Sequence, residues 1–84
     1  MSNATAKFIE TDQNWQEEST TYWFELSGTD YGTGYEFNGE TYGVVESGSD
    51  EPVIVDSDNC PLTDGDVETS AVRNTIVVTD EVRK

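Results

Sequence analysis

The stretch "YEFNGETYGVV", Tyr35–Val45, sets aromatic and β-branched residues on either side of an Asn-Gly pair. A two-residue type I′ turn needs positive φ at both central positions, and Asn-Gly meets that need with least strain. The chain is therefore expected to reverse at Asn38-Gly39. Such a turn sets the register: Phe37 opposite Glu40, Glu36 opposite Thr41, Tyr35 opposite Tyr42 and Thr33 opposite Val44. Tyr35, Phe37, Tyr42 and Val44 then share one face, assigned to the core, while Glu36 and Thr41 point to solvent.

Outward from this segment the pattern stays β. "TTYWFEL", Thr20–Leu26, alternates Tyr22, Phe24 and Leu26 against Thr21, Trp23 and Glu25, which predicts a strand with an apolar inner face. "PVIV", Pro52–Val55, reads as a short strand opened by proline. "NTIVVT", Asn74–Thr79, reads as another, with Ile76 and Val78 inward. "KFIE", Lys7–Glu10, suggests a short first strand. "SGTDYGTG", Ser27–Gly34, and "ESGSDEP", Glu46–Pro52, are connections rich in turn residues. "DSDNCPLTDGDVETS", Asp56–Ser70, is expected to form a long loop, with room for a short helical turn near Glu68–Arg73.

Composition agrees. The chain has 11 Thr, 9 Val and 9 aromatic residues but only 3 Ala, 2 Leu and 2 Lys, so good helix formers other than Glu are scarce. No stretch of helical length carries a sustained 3.6-residue apolar period. The expected fold is all-β: a small antiparallel sheet curled into a barrel or sandwich, or covered by one short helix. At 84 residues the chain forms one domain, 1–84, with a small core. Residues 1–5 are expected to be disordered, with "SNA", Ser2–Ala4, read as an expression remnant.

Charge dominates the chemistry. Eighteen acidic residues against four basic ones give a net charge of −14 at pH 7. That balance repels nucleic acid and anionic membranes, whose affinity for proteins rests on Lys and Arg. A charge-driven partner is instead basic. No apolar run approaches membrane-spanning length and no secretory signal is visible, so a cytoplasmic protein is expected.

The aspartates of the 56–66 loop carry the oxygen ligands that calcium prefers, but not at the spacing of a known calcium loop. An EF-hand beginning at Asp56 places Asp58 correctly but puts Cys60, Pro61 and Val67 at positions five, six and twelve. A start at Asp64 puts Thr69 where glycine is required. The "DNCP" core, Asp58–Pro61, resembles a piece of the thrombospondin type 3 calcium repeat. That resemblance covers those residues alone, and the partner cysteines and further aspartates of the pattern are absent. The better reading is an acidic turn-rich loop whose Asx side chains cap nearby backbone N–H groups. No metal or cofactor is expected.

Catalysis has little to stand on. The chain has no histidine, so the commonest general base is missing. The single cysteine, Cys60, has no histidine partner and sits among carboxylates, which disfavour a thiolate. It is read as buried or inert. A Cys₄ or Cys₂His₂ zinc site is excluded. The glycines of "GTDYGTG", Gly28–Gly34, lack the strand-to-helix context of a phosphate loop. The chain is not expected to be an enzyme.

Two aromatic residues stand out from the core pattern. Trp15 lies in a polar stretch, and Trp23 falls on the face opposite Tyr22 and Phe24. Either a second layer covers Trp23 or it is an exposed anchor of the kind enriched at interfaces. Tyr31 is a further exposed candidate.

The functional expectation is a small acidic inhibitor that occupies the basic nucleic-acid-binding surface of another protein as a DNA or RNA mimic. The contact residues are expected to be Asp50, Glu51, Asp56, Asp58, Asp64 and Asp66, with Glu36 on a strand face and Trp23 as the apolar anchor. Small acidic phage proteins that block uracil-DNA glycosylase, restriction enzymes or CRISPR effector complexes are similar in size and charge. The alternatives are a salt-adapted acidic protein of generic binding function, or a small carbohydrate- or calcium-binding β module.

Overall fold

The computed structural model describes residues 4–48 and 51–76. They are mostly β: four strands, β1 (Thr5–Asn14), β2 (Ser19–Asp30), β3 (Tyr35–Ser47) and β4 (Val53–Val55), followed by one helix, α1 (Val67–Thr75). The strands form an antiparallel sheet in the order β1-β2-β3-β4. The described sheet does not close into a barrel; β1 and β4 are its edges.

Gly39 does take the left-handed backbone that the Asn-Gly pair implies, with φ +82°, but the chain does not reverse there. β3 runs straight through, and Asn38-Gly39 is a β-bulge. Leu26 pairs with Glu40 and Ser27 with Asn38, leaving Gly39 as the extra residue. A bulge with glycine at positive φ shifts the side-chain phase by one. Phe37 and Tyr42 are five residues apart and would lie on opposite faces of a regular strand. The bulge puts both inward, at 2% exposure each. The predicted set of Tyr35, Phe37, Tyr42 and Val44 thus does share the core face, for a different reason than the one expected. The Glu40 carboxylate spans the bulge, accepting from the Asn38 N–H at 2.5 Å.

The reversals lie elsewhere. β1 and β2 are joined by residues 15–18, between paired Asn14 and Ser19. There the Asn14 side-chain oxygen accepts from the Gln16 and Glu17 N–H groups at 3.1 and 3.2 Å. β2 and β3 are joined by residues 31–34, between paired Asp30 and Tyr35. Both turns end on a left-handed residue, Gly34 (φ +81°) in the second but Glu18 (φ +52°) in the first.

α1 was expected at most as a short turn, and Asn74–Thr79 was expected to be a strand. Instead Asn74 and Thr75 are the last helical residues, Ile76 is the C-cap, and residues 77–79 lie outside those described. Four of the nine helical residues are β-branched, so propensity alone would not make this helix. Packing does. Ala71, Val72 and Ile76 are buried against Tyr22, Phe24, Leu26, Phe37, Tyr42, Val44 and Ile54 of the sheet. Thr69, also buried, ties the first turn to the preceding loop by donating to the Thr63 carbonyl at 2.7 Å. Glu68 in the first turn and Arg73 in the last suit the helix dipole.

One buried acid escaped the sequence reading. Asp30 is 1% exposed at the end of β2. Its carboxylate accepts from the Thr33 hydroxyl at 2.8 Å and the Asn74 side-chain amide at 3.1 Å, and its backbone carbonyl accepts from the Gly34 N–H at 2.6 Å. It fastens the second hairpin turn to the end of the helix.

The N-terminal boundary also moves. Thr5, placed with a disordered segment above, is the first residue of β1 and pairs with Ser27, and Ala4 packs against the core. Residues 1–3 lie outside those described.

Candidate functional site

α1 covers only one face of the sheet. The opposite face is built from the alternate residues, which the registers place together: Lys7, Glu10 and Asp12 on β1, Thr21, Trp23 and Glu25 on β2, Glu36, Thr41, Gly43 and Val45 on β3, and Val53 and Val55 on β4. β1 reaches beyond the helix, and nine of its ten residues are exposed. Phe8 meets Phe24 edge-on, with ring centroids 5.7 Å apart. A bulge at Ile9 and the charge of Lys7 blunt its free edge.

Trp23 sits at the centre of the open face, half-buried, with no second layer over it among the described elements. Its pairing partner is Gly43. A Cβ at position 43 would come within 2.9 Å of Trp23 Cζ3 and of Val55 Cγ2, so only glycine leaves room for the indole. The indole Nε1 donates to the Asp12 Oδ2 at 3.0 Å. Position and orientation are thereby held from two sides. Trp15, at the tip of the β1–β2 turn, is 79% exposed.

Two grooves run beside Trp23. One, of about 520 Å³, lies towards the hairpin tip and is lined by Asp12, Gln13, Trp15, Trp23 and Asn59 among others. The other, of about 450 Å³, is lined by Ile9, Glu10, Asp12, Trp23, Thr41 and Ser57. Ser57 and Asn59 bring the 56–60 loop to this face. Within that loop Asp56 Oδ1 accepts from the Asp58 and Cys60 N–H groups at 2.9 and 3.0 Å, the Asx capping expected of these residues. Cys60 is exposed, which removes the buried half of the buried-or-inert reading; its thiol lies beside the Asp58 carbonyl.

The residues singled out by sequence therefore divide. Trp23 lies on the open face with Glu36 farther along it on β3, while Asp56 and Asp58 belong to the loop whose Ser57 and Asn59 line the grooves. Glu51 and Asp64 line a separate cleft beside α1, together with Arg73. Asp64 is paired with Arg73 at 2.8 Å. Asp66 is the N-cap residue of α1 and makes no side-chain capping bond. Tyr31 is exposed at the β2–β3 turn, and Asp50 lies outside the described residues. Sequence reasoning missed Glu10 and Asp12, whose place beside Trp23 depends on how far β1 extends. Among the described residues no group of three or more acidic or thiol side chains is arranged to hold a metal ion. None of the described helices is long and apolar enough to cross a membrane.

On the helix side, acids serve the fold. Glu68 accepts from the Tyr42 hydroxyl at 2.5 Å. Burial, and then this bond and the neighbouring Tyr35, push the Tyr42 phenol far above its ordinary range. Burial also raises Tyr35; a hydrogen bond with Tyr42 partly offsets this, while the charges of Glu68 and Glu40 add to it.

Comparison with known proteins finds no family model, no curated protein and no solved structure that matches this chain.

Proposed function

We propose that this chain is an acidic protein ligand that docks its open sheet face onto the basic nucleic-acid-binding surface of another protein and competes there with DNA or RNA. The observation that carries the reading is the composition of that face. Glu10, Asp12, Glu25 and Glu36 lie on it and the Asp56–Asp58 loop borders it, while the described residues contain only two bases, Lys7 and Arg73. Arg73 is engaged with Asp64 beside the helix; Lys7 lies on the open face opposite Glu25, one base against its four strand carboxylates.

The physics follows from the strand repeat. Residues i and i+2 on one face, such as Glu10 and Asp12, are about 6.5–7 Å apart, so a strand displays carboxylates in a regular row. A positively charged cleft focuses the field of such a surface and accelerates encounter. Trp23 supplies the aromatic anchor on which stable interfaces commonly depend. Glu36 extends the charged face along β3. Glu51, Asp64 and Asp66 add to the overall field from the helix side, Asp64 with its charge offset by Arg73.

The test is direct. A partner captured from a lysate is loaded with labelled DNA or RNA, and the protein is titrated in. Displacement that weakens steeply with added salt, chiefly through a slower on-rate, is the expected outcome. Simultaneous binding of protein and nucleic acid, without mutual weakening, would overturn the reading.

A further inference from the structure

We infer that the two grooves astride Trp23 are receptors for arginine side chains of the basic partner, a claim that rests on the docking reading above and specifies its chemistry. Both grooves share the same two residues, Trp23 and Asp12. Asp12 uses Oδ2 to hold the indole nitrogen, which leaves Oδ1 for an incoming donor. Glu10 adds a second carboxylate in one groove and Trp15 a second indole in the other. Neither groove is lined by a lysine or an arginine, so charge complementarity calls for a cation.

The kind of cation follows from the aromatic walls. A guanidinium is planar, stacks on indole, is weakly hydrated and forks onto a carboxylate; an ammonium is a compact, strongly hydrated point charge. A site made of indole faces and carboxylate oxygens therefore favours arginine over lysine at equal charge. A surface that attracts only through its field does not discriminate between them. Trp15 strengthens the case, because an indole left 79% exposed at a hairpin tip contributes nothing to the core and gains from a stacked cation.

The experiment uses the intact protein with tetra-arginine and tetra-lysine peptides in about 0.15 M salt, where the Debye length is about 8 Å. Tryptophan fluorescence reports affinity, and amide chemical shifts report location. The arginine peptide is expected to bind about 2–5-fold tighter per stacked guanidinium, with shifts centred on Asp12, Trp15 and Trp23. Trp15→Ala and Asp12→Asn should each reduce that preference. Trp15 is outside the core, and asparagine at 12 retains an oxygen acceptor for the Trp23 nitrogen, so both variants should keep the wild-type amide spectrum elsewhere. Equal affinity for the two peptides, or shifts centred away from Trp23, would overturn the inference. Nucleic-acid competition that persists despite equal peptide affinity keeps the docking reading and removes the arginine receptors. An arginine preference without any nucleic-acid competition does the reverse.

Discussion

The helix-side face and the open face of this sheet come from alternate residues of the same strands, yet they treat acidic groups in opposite ways. On the helix side, Asp30 is buried and bonded to Thr33 and Asn74, and Glu68 accepts from Tyr42. On the open face, Glu10 and Glu25 are exposed, and Asp12 orients an indole rather than supporting the core. An acid's role here is set by what covers it. The same residue type fastens the fold under the helix and faces the solvent on the other side.

That contrast is most easily broken from the core. Leu26 is fully buried under α1. Leu26→Ala should cost about 2–5 kcal/mol, a large share of the roughly 5–15 kcal/mol that holds a domain together. Chemical denaturation would show it as a lower midpoint. Asp30→Ala comes next, at about 2–3 kcal/mol, because it leaves the Thr33 and Asn74 donors without their buried acceptor. A neutral result for Asp30→Ala would mean that the turn and the helix end are not joined through this side chain.

Gly43→Ala probes the open face itself. Its methyl group would collide with Trp23 and Val55, and overpacking of this kind typically costs about 1–3 kcal/mol. Trp23 fluorescence should shift with it, which separates displacement of the ring from general loosening. A wild-type spectrum and melting curve would show that the indole is not seated over Gly43.

The phenols sharpen the comparison by pH. Folding raises the Tyr42 and Tyr35 pKa values, so the native state favours the neutral phenols. Their contribution is fully present below the unfolded value of about 10. It is lost as pH rises beyond that, because the unfolded chain then ionises first. Stability should fall above about pH 10, and Tyr42→Phe should flatten that fall while losing the bond to Glu68. The smallest effect expected is at Glu18. Its left-handed backbone strains a side-chain-bearing residue, and Glu18→Gly should change stability by no more than about 1 kcal/mol, in the stabilising direction if relief of strain outweighs the added chain entropy. A melting curve measures it.

Much of the helix-side face was legible in the sequence. Period-two alternation marked Tyr22, Phe24 and Leu26, and the residues around Asn38-Gly39 were assigned to the correct face. What the local pattern could not reveal was whether positive φ at Gly39 serves a turn or a bulge. That is settled by pairing with Ser27 and Leu26 of β2, eleven and fourteen residues from their partners Asn38 and Glu40. α1 was under-read because its residues favour strands and only burial of Ala71, Val72 and Ile76 makes it helical. The open face was half legible. Trp23 announced itself by falling out of phase with the core, and the Asx turn at Asp56 by its composition. Glu10 and Asp12 did not, since a polar segment such as "ETDQN", residues 10–14, carries no apolar period to mark it as strand. Its place is set by the ladder with β2 and by the bulge at Ile9.

The most direct measurement removes equal charge from the two sides and asks which matters for nucleic-acid competition. One variant carries Asp12→Asn and Asp58→Asn on or beside the open face; the other carries Glu51→Gln and Asp66→Asn beside the helix. All four changes preserve side-chain shape, and each variant loses the same net charge. If the open face is the docking surface, the first variant should compete about tenfold less well, close to 1.4 kcal/mol, and the second should stay near wild type. Equal loss in both would mean that only total charge counts, and a loss confined to the helix-side variant would place the contact on the other face of the sheet.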